Sequence, residues 1–207
     1  TLNPSGDVDT YNTAVGYQSG KAVTTGTENT LIGGKAGDAL TTGFSNVAVG
    51  VDALGTEDTG RKNVAIGYAA LSTQNNDADT FNNAIGYDAG KSITTGVHNV
   101  IIGGEAGDAM TNADFNIAIG KGALGAETRG NSSIGIGEGA LLNQNFTTDV
   151  AAHNVCVGHA TGNQVTTGVN NTIIGGLAGD ALTDADSNVA VGKFALSTDT
   201  LGSKSVA

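Results

Sequence analysis

The stretch Asn63-Val64-Ala65-Ile66-Gly67 decides the fold of this chain, because it is one copy of a motif that recurs throughout the 207 residues. The motif reads Asn, any residue, a small or apolar residue, Val or Ile, then Gly, and it occurs eleven times. Its glycines are Gly16, Gly33, Gly50, Gly67, Gly86, Gly103, Gly120, Gly137, Gly158, Gly175 and Gly192. They are 17 residues apart, except for one gap of 19 and one of 21. A short fixed period of this kind indicates a stack of identical structural units, here called coils.

Positions within each coil are numbered from its motif glycine, which is position 0. Position −4 is Asn in ten copies, with Ser133 as the exception, and position −1 is Val or Ile in all eleven. The position −1 residues are Val15, Ile32, Val49, Ile66, Ile85, Ile102, Ile119, Ile136, Val157, Ile174 and Val191. Strand side chains alternate between faces, so positions −3 and −1 share one face. We predict that the position −1 column is the buried structural core. The Asn column has two readings, a hydrogen-bonded ladder or simple turn propensity.

A second rhythm groups the coils in fours. Position +4 runs Gly, Gly, Leu, Leu and then repeats, which gives a block of roughly 70 residues. The sequence therefore divides into a lead-in at 1–10 and a continuous repeat domain at 11–207, with blocks at about 11–80, 81–152 and 153–207. The fourth coil of the first two blocks carries an insertion, at 72–80 and 143–152. The sequence begins without Met and ends in a truncated repeat, so we expect an excerpt of a longer chain.

The period and the residue types predict an all-β fold, a parallel β-solenoid (β-roll) of about eleven 17-residue coils. Seventeen residues are too few for helical repeats, whereas Val and Ile favour strands and Gly, Asn and Thr favour turns. Coils stacked at about 4.8 Å would form a rod about 50 Å long. A single coil of small residues buries little apolar surface against the entropy of ordering it. We therefore expect copies of the chain to associate.

The composition of the chain limits the classes of partner and activity that we expect. A net charge of −11 disfavours nucleic acid and anionic membranes as partners. Cys156, the only cysteine, allows no internal disulfide and occupies position −2, so it is interpreted as a small packed residue. His98, His153 and His159 lack metal-ligand spacing. The sequence contains no Walker loop, Gly-x-Ser-x-Gly elbow or His-Glu-x-x-His motif, so we expect no enzyme, no metal and no cofactor.

Two phrases of the repeat resemble a known family. Asn-Val-Ala-Ile-Gly-Tyr-Ala-Ala at 63–70 and Asn-Ile-Ala-Ile-Gly-Lys-Gly-Ala at 116–123 are similar to the head repeats of trimeric autotransporter adhesins of the YadA type. They also resemble repeats of phage tail fibres and of bacterial surface proteins with a self-cleaving chaperone domain. The resemblance implies a left-handed β-roll assembled as a homotrimer, outside the cell on a virion fibre or a cell surface. The coils here are longer than in adhesin heads and follow a four-coil super-repeat, which favours a virion fibre or other appendage over a bacterial adhesin head.

The predicted function is a structural fibre segment that mediates or supports attachment to a surface. One alternative is a trimeric adhesin head that binds host matrix or glycan. Another is a polysaccharide-degrading tail spike, whose carboxylates would come from Glu57, Asp58, Glu127 and Asp149, although solvated loop charges are the favoured reading of these four.

Candidate ligand-binding residues lie in the insertions, which we expect to bulge from one side of the rod. They are Gln74, Asn75, Asn76, Gln144, Asn145 and Phe146, which suit either sugar contacts or exposed turns. Tyr17, Tyr68 and Tyr87 follow motif glycines and could stack on a sugar or line a trimer seam. Asp38, Asp108 and Asp180 are read as turn residues rather than calcium ligands. The phrase Thr-Thr-Gly marks the first coil of each block, which is too sparse for an ice-binding array.

Overall fold

The computed structural model describes residues 10–207, and within them it contains thirteen short strands and no helix. The strands are β1 Thr13–Val15, β2 Thr30–Ile32, β3 Val47–Val49, β4 Val64–Ile66, β5 Asn83–Ile85, β6 Val100–Ile102, β7 Ile117–Ile119, β8 Gly130–Asn131, β9 Ile134–Ile136, β10 Val150–Ala151, β11 Val155–Val157, β12 Thr172–Ile174 and β13 Val189–Val191. The predicted all-β parallel solenoid is confirmed. Of the predicted lead-in, residues 1–9 lie outside the described range. No bilayer-spanning helix occurs in the described part of the chain.

Eleven of the strands form one parallel sheet, in which each coil pairs with the next. The pairing keeps the motif in register, so that Ile102 lies opposite Ile85 on one side and Ile119 on the other. The two insertions do not disturb this register. β8 and β10 form a separate two-stranded parallel sheet in which Asn131 pairs with Ala151. The first insertion rejoins the stack at the equivalent place, through a bridge between Arg61 and Asp79. Both insertions therefore lie on one side of the solenoid.

The interior of the solenoid is built from position −2 and not from position −1, so the predicted core column requires correction. Leu31, Ile101 and Ile173, all at position −2, are fully buried. The predicted Val/Ile residues do stack in one column, but they point out of their own chain: Val15 and Val191 are each 58% exposed. The Asn at position −4 explains the difference, because its amide is buried and bonded inside the coil. Strand alternation then turns position −2 inward and positions −3 and −1 outward.

Positions +4 and +7 complete the interior, together with the small residues of positions −2 and +3. Coils with Gly at +4 carry Val, Leu, Ile or Met at +7, whereas coils with Leu at +4 carry Glu, Gln or Asp there. A Cβ on Gly37 would lie 2.7 Å from Leu31 and 2.8 Å from Leu40, so the glycine makes room for its partner at +7. The four-coil rhythm thus alternates between two ways of filling the same narrow interior: Gly at +4 with a large apolar residue at +7, and Leu at +4 with a polar residue at +7.

The motif glycines let neighbouring coils approach closely. Their φ angles lie between +129° and +142°, a region that side chains strongly disfavour. At ten of the eleven, an added Cβ would lie 2.2–2.7 Å from the carbonyl oxygen of the motif glycine in the next coil. Glycine at position 0 is therefore a requirement of coil stacking.

Candidate functional surfaces

The Asn column forms a hydrogen-bonded ladder inside the solenoid, which decides between the two readings of the sequence. The side-chain amide of Asn99 donates to Asn82 Oδ1 at 3.1 Å and to the Ala113 carbonyl at 2.8 Å. The backbone N–H of Asn116 donates in turn to Asn99 Oδ1 at 2.9 Å. Asn99 therefore joins its neighbours above and below and closes its own coil, and Asn29, Asn82 and Asn171 do the same. In a dry interior these bonds are costly to lose, so the ladder fixes the stacking register.

A buried carboxylate interrupts the apolar +7 column in the third coil of each of the first two blocks. Glu127 is fully buried, and its Oε1 accepts hydrogen bonds from backbone N–H groups at distances of 2.6–3.2 Å. The donors are Thr128, Arg129, Gly130 and Phe146. Its Oε2 accepts from Gln144 Nε2 at 2.8 Å. Five N–H donors thus replace the water that a carboxylate would lose on burial.

The following coil supplies a glutamine that links this carboxylate to the Asn ladder. Gln144 is fully buried, and its Oε1 accepts from Asn154 Nδ2 at 2.8 Å. The first block repeats the arrangement with Glu57, Gln74 and Asn82, at 3.1 Å for the Gln74–Glu57 bond and 2.9 Å for the Asn82–Gln74 bond. We call each Glu–Gln pair a polar rung. The polar rungs were not predicted from the sequence, although position +7 repeats every four coils as position +4 does.

The prediction of ligand-binding residues in the insertions is wrong for three of its six members, because these lie in or beside the polar rungs. Gln74 and Gln144 are fully buried and Phe146 is only 6% exposed, so these three side chains are interior. The insertions turn inward here because the rung glutamine satisfies the carboxylate and because Phe146 packs close to Gly130, where an added Cβ would lie 2.7 Å from its ring. Asn75 and Asn145 are exposed and Asn76 is partly exposed, so their proposed role as ligand contacts stays a prediction.

The four carboxylates suggested for polysaccharide cleavage occupy different environments. Glu57 and Glu127 are buried in their rungs, which corrects the interpretation of them as solvated loop charges. Asp58 is partly buried, and its Oδ1 has no hydrogen-bond partner. Asp149 is exposed, and the Arg129 guanidinium that bonds to it lowers the pKa of its carboxyl. Glu57 and Glu127 lie in coils four apart, about 19 Å along the rod.

The outer face of the eleven-stranded sheet is an uncharged surface that runs the length of the stack. It is formed by positions −3 and −1, where 18 of the 22 residues are Val or Ile and none is charged. The chain nevertheless carries 9 basic and 20 acidic residues. We call the columns at −5 and +1, which flank this face, its borders. Fourteen of the sixteen exposed large hydrophobic residues in the described range lie on the face or its borders. Such a patch indicates a contact surface.

Aromatic side chains stack along both borders. Tyr68 and Tyr87 at position +1 are parallel, with ring centroids 5.4 Å apart. At position −5, the His98 ring lies between Phe81 and Phe115, at 5.2 and 5.0 Å. These rings cover one another's faces, the part of an aromatic ring that a sugar would use. Tyr17, which is 73% exposed, makes no ring contact of this kind, so the sugar-platform and seam readings of the tyrosines stay open.

A shallow groove of about 370 Å³ lies on the turn side of the sixth to eighth coils. Gly122 and Gly125 create the depression, and Glu105, Asp108 and Leu142 line it. Burial raises the pKa of the Asp108 carboxyl, and the nearby Glu105 charge adds to the effect. The groove is acidic, but in residues 10–207 no three His, Cys, Asp or Glu side chains are placed to hold a metal ion.

The threonines form a longer column than the phrase Thr-Thr-Gly suggested. Position +8 is Thr in eight of eleven coils, so the count of one coil in four was too low. Their hydroxyls serve the stack: Thr94 Oγ1 donates to the Thr111 carbonyl at 3.3 Å, and Thr111 Oγ1 donates to the Thr128 carbonyl at 3.1 Å. The hydroxyl protons therefore point along the rod towards the next coil.

The remaining candidates are structural. Cys156 is fully buried, and this burial raises the pKa of its thiol, which makes it unreactive. Asp38 forms an ion pair with Lys21, in which Oδ2 and Nζ are 3.0 Å apart. His98, His153 and His159 are all exposed, in agreement with surface positions.

Comparisons of the chain with protein-family models, with curated protein sequences and with solved structures gave no match.

Proposed function

We propose that this chain is a rod-forming segment of an extracellular or virion fibre, in which several copies associate and support attachment to a surface. The observation that carries the proposal is the uncharged outer face of the sheet, which runs through all eleven coils. A single chain leaves these β-branched side chains in contact with water, which is unfavourable in proportion to their apolar area. Association of copies along this face would bury it.

A homotrimer is the assembly that we propose, following the resemblance to adhesin heads and tail fibres. The interior of one chain is narrow, because position +3 is almost always Ala and position −2 is most often Ala. Most Val and Ile side chains, those of positions −3 and −1, are on the outside, although such residues normally fill a core. Three outer faces turned towards a common axis would form a second core of the kind that one chain lacks.

The described residues support a structural role over a catalytic one. Two of the four candidate carboxylates are bonded to backbone N–H groups and to glutamine inside the coils. Their hydrogen-bonding capacity is used in holding the turns together. The regular columns of Asn, Gly and Thr likewise serve contacts between coils.

Replacing Ile102 by Asp tests the assembly. The side chain lies on the outer face, so we expect the coil to fold and the assembly to be lost, because a buried unpaired carboxylate costs several kcal/mol. Sedimentation velocity should show the native chain as an oligomer and the variant as a monomer with unchanged β-sheet circular dichroism. Thr95→Asp, at an exposed site outside the face, is the matched control and should sediment like the native chain. A native chain that is a stable folded monomer at micromolar concentration would contradict the proposal.

Electron microscopy tests the location and the fibre role. Antibodies raised against this segment should decorate the shaft of a fibre on intact particles or cells of the source. Each coil adds about 4.8 Å, so two antibodies directed at the two insertions should bind about 19 Å apart along that shaft. Antibody labelling confined to the inside of lysed cells would exclude a surface fibre.

A further inference from the structure

Three glycines on one border of the outer face have no reason to be glycine within their own chain. Gly34, Gly104 and Gly176 occupy position +1 in the second coil of each block. An added Cβ would have no atom within 4 Å at Gly104 or Gly176, and only Val51 Cγ2 at 3.9 Å near Gly34. None of the three has a left-handed φ angle. In the other coils this position holds Tyr, Val, Lys, Glu or His.

Glycine without a local role is unfavourable, because it increases the entropy that the chain loses on folding, at a cost of about 0.5–1 kcal/mol. Glycine is favoured where another backbone or side chain approaches closely. Inside the chain that role is filled at position 0, where the next coil is in contact. At the three border glycines the approaching group must come from outside the chain.

The opposite border carries large side chains at the same level. Position −5 of the second coils holds Glu28, His98 and Asn170, all exposed. In a ring of parallel copies whose outer faces turn towards the axis, the −5 border of one chain meets the +1 border of the next. Rotation about an axis parallel to the rod moves no chain along it, so each coil meets the same coil of its neighbour.

We propose that Gly34, Gly104 and Gly176 are sockets that receive Glu28, His98 and Asn170 of the adjacent copy. The proposal rests on the proposed function, since it names the seam of that assembly. The stack of His98 between Phe81 and Phe115 holds its ring in place before assembly, which lowers the entropy lost on contact.

The other coils are compatible with this seam. Lys62 would face Tyr68 and Phe115 would face Lys121, and each pair joins a cation to an aromatic ring. No coil brings two like charges of Asp, Glu, Lys or Arg together at its own level. A shift of one coil would set Lys193 against Lys204, which are like charges.

Cysteine pairs test the seam in a Cys156→Ala background. In one chain, residues 98 and 104 lie beyond opposite ends of β6, which holds their Cα atoms farther apart than the roughly 4.4–6.8 Å that a disulfide needs. A disulfide between His98→Cys and Gly104→Cys can therefore form only between chains. With oxidised glutathione as the oxidant, we expect a covalent ring of native oligomer size on a denaturing gel. Its yield should exceed at least tenfold that of the control pair His98→Cys with Gly176→Cys, which lies four coils out of level.

The outcomes separate the seam from the assembly. A parallel oligomer in sedimentation without cross-linking above the control overturns the seam and leaves the proposed function intact, whereas a folded monomer overturns both. Equal cross-linking by His98→Cys alone also overturns the seam, because it would show that like borders meet. As a second measurement, Gly104→Leu should raise the protein concentration at half-assembly at least tenfold, and the exposed Thr95→Leu should not. An unchanged concentration for Gly104→Leu contradicts the proposal.

Discussion

Replacing Glu127 by Ala is expected to lower the free energy of unfolding by about 3–5 kcal/mol, although the residue is a charged side chain in an acidic protein. The change removes the acceptor that five N–H donors share. The backbone N–H groups of Thr128, Arg129, Gly130 and Phe146 lose this bond. The amide of Gln144 also loses its bond to Glu127 but keeps the one to Ser133 Oγ at 3.0 Å. Each unsatisfied buried donor costs about 1–3 kcal/mol before the structure relaxes.

Urea unfolding followed by circular dichroism measures this loss, provided that all variants are compared at one protein concentration, because the proposed association of copies would add to stability. Glu105→Ala is the matched control. It removes an equal charge from the preceding coil, where the side chain is exposed, and should change stability by no more than about 0.5 kcal/mol. Equal midpoints for the two variants would show that the polar rung does not stabilise the solenoid.

Replacing Gly137 by Ala is expected to cost about 3 kcal/mol or more, because two penalties combine at this residue. Its φ angle is +132°, which L-residues rarely adopt, and the new Cβ would lie 2.2 Å from the Gly158 carbonyl oxygen. The obstructing atom belongs to the backbone of the next coil and cannot move without separating the two coils. We therefore expect a lower urea midpoint and faster amide hydrogen exchange in β9 and β11.

Gly139 in the same coil provides the control, since it also has a positive φ angle, +64°. Its added Cβ would approach only Asn163 Nδ2, at 3.4 Å. Ala69 and Ala160 already occupy this position in other coils with φ angles of 51° and 50°. Gly139→Ala should therefore cost no more than about 1–2 kcal/mol, the usual penalty for a left-handed residue. If the two variants unfold together, close approach of the coils is not what requires glycine at position 0.

The repeat alone determined the architecture and the register. The period of 17 residues excludes helical units, and stacking equal coils places identical residues above one another. Val49 lies opposite Ile66 and Ile32 for that reason. The insertions were located correctly as well, because the motif resumes unchanged after each of them.

Which side of the strand is the interior was decided only by the tertiary structure. Alternation predicts two faces, and hydrophobicity favoured the Val and Ile of position −1 as the buried one. The structure buries position −2 instead, which is often only Ala. The Asn ladder at position −4 has to be shielded from water, and the coil that it closes leaves little room for a larger side chain. Hydrophobicity here described the outer face of the sheet and not the interior of the chain, a distinction that a pattern of apolar residues cannot make.

The polar rungs likewise could not be predicted from the sequence alone. Glu127 and Gln144 are polar and lie next to loops, so their sequence context predicts exposure to solvent. Their burial depends on partners 17 and 10 residues away, which only the stacking of three coils brings within 2.8 Å of one another. The sequence determined the stacking of the coils, whereas the closed interior decided which polar groups are shielded from water, because a polar group is buried only where folding supplies its hydrogen bonds.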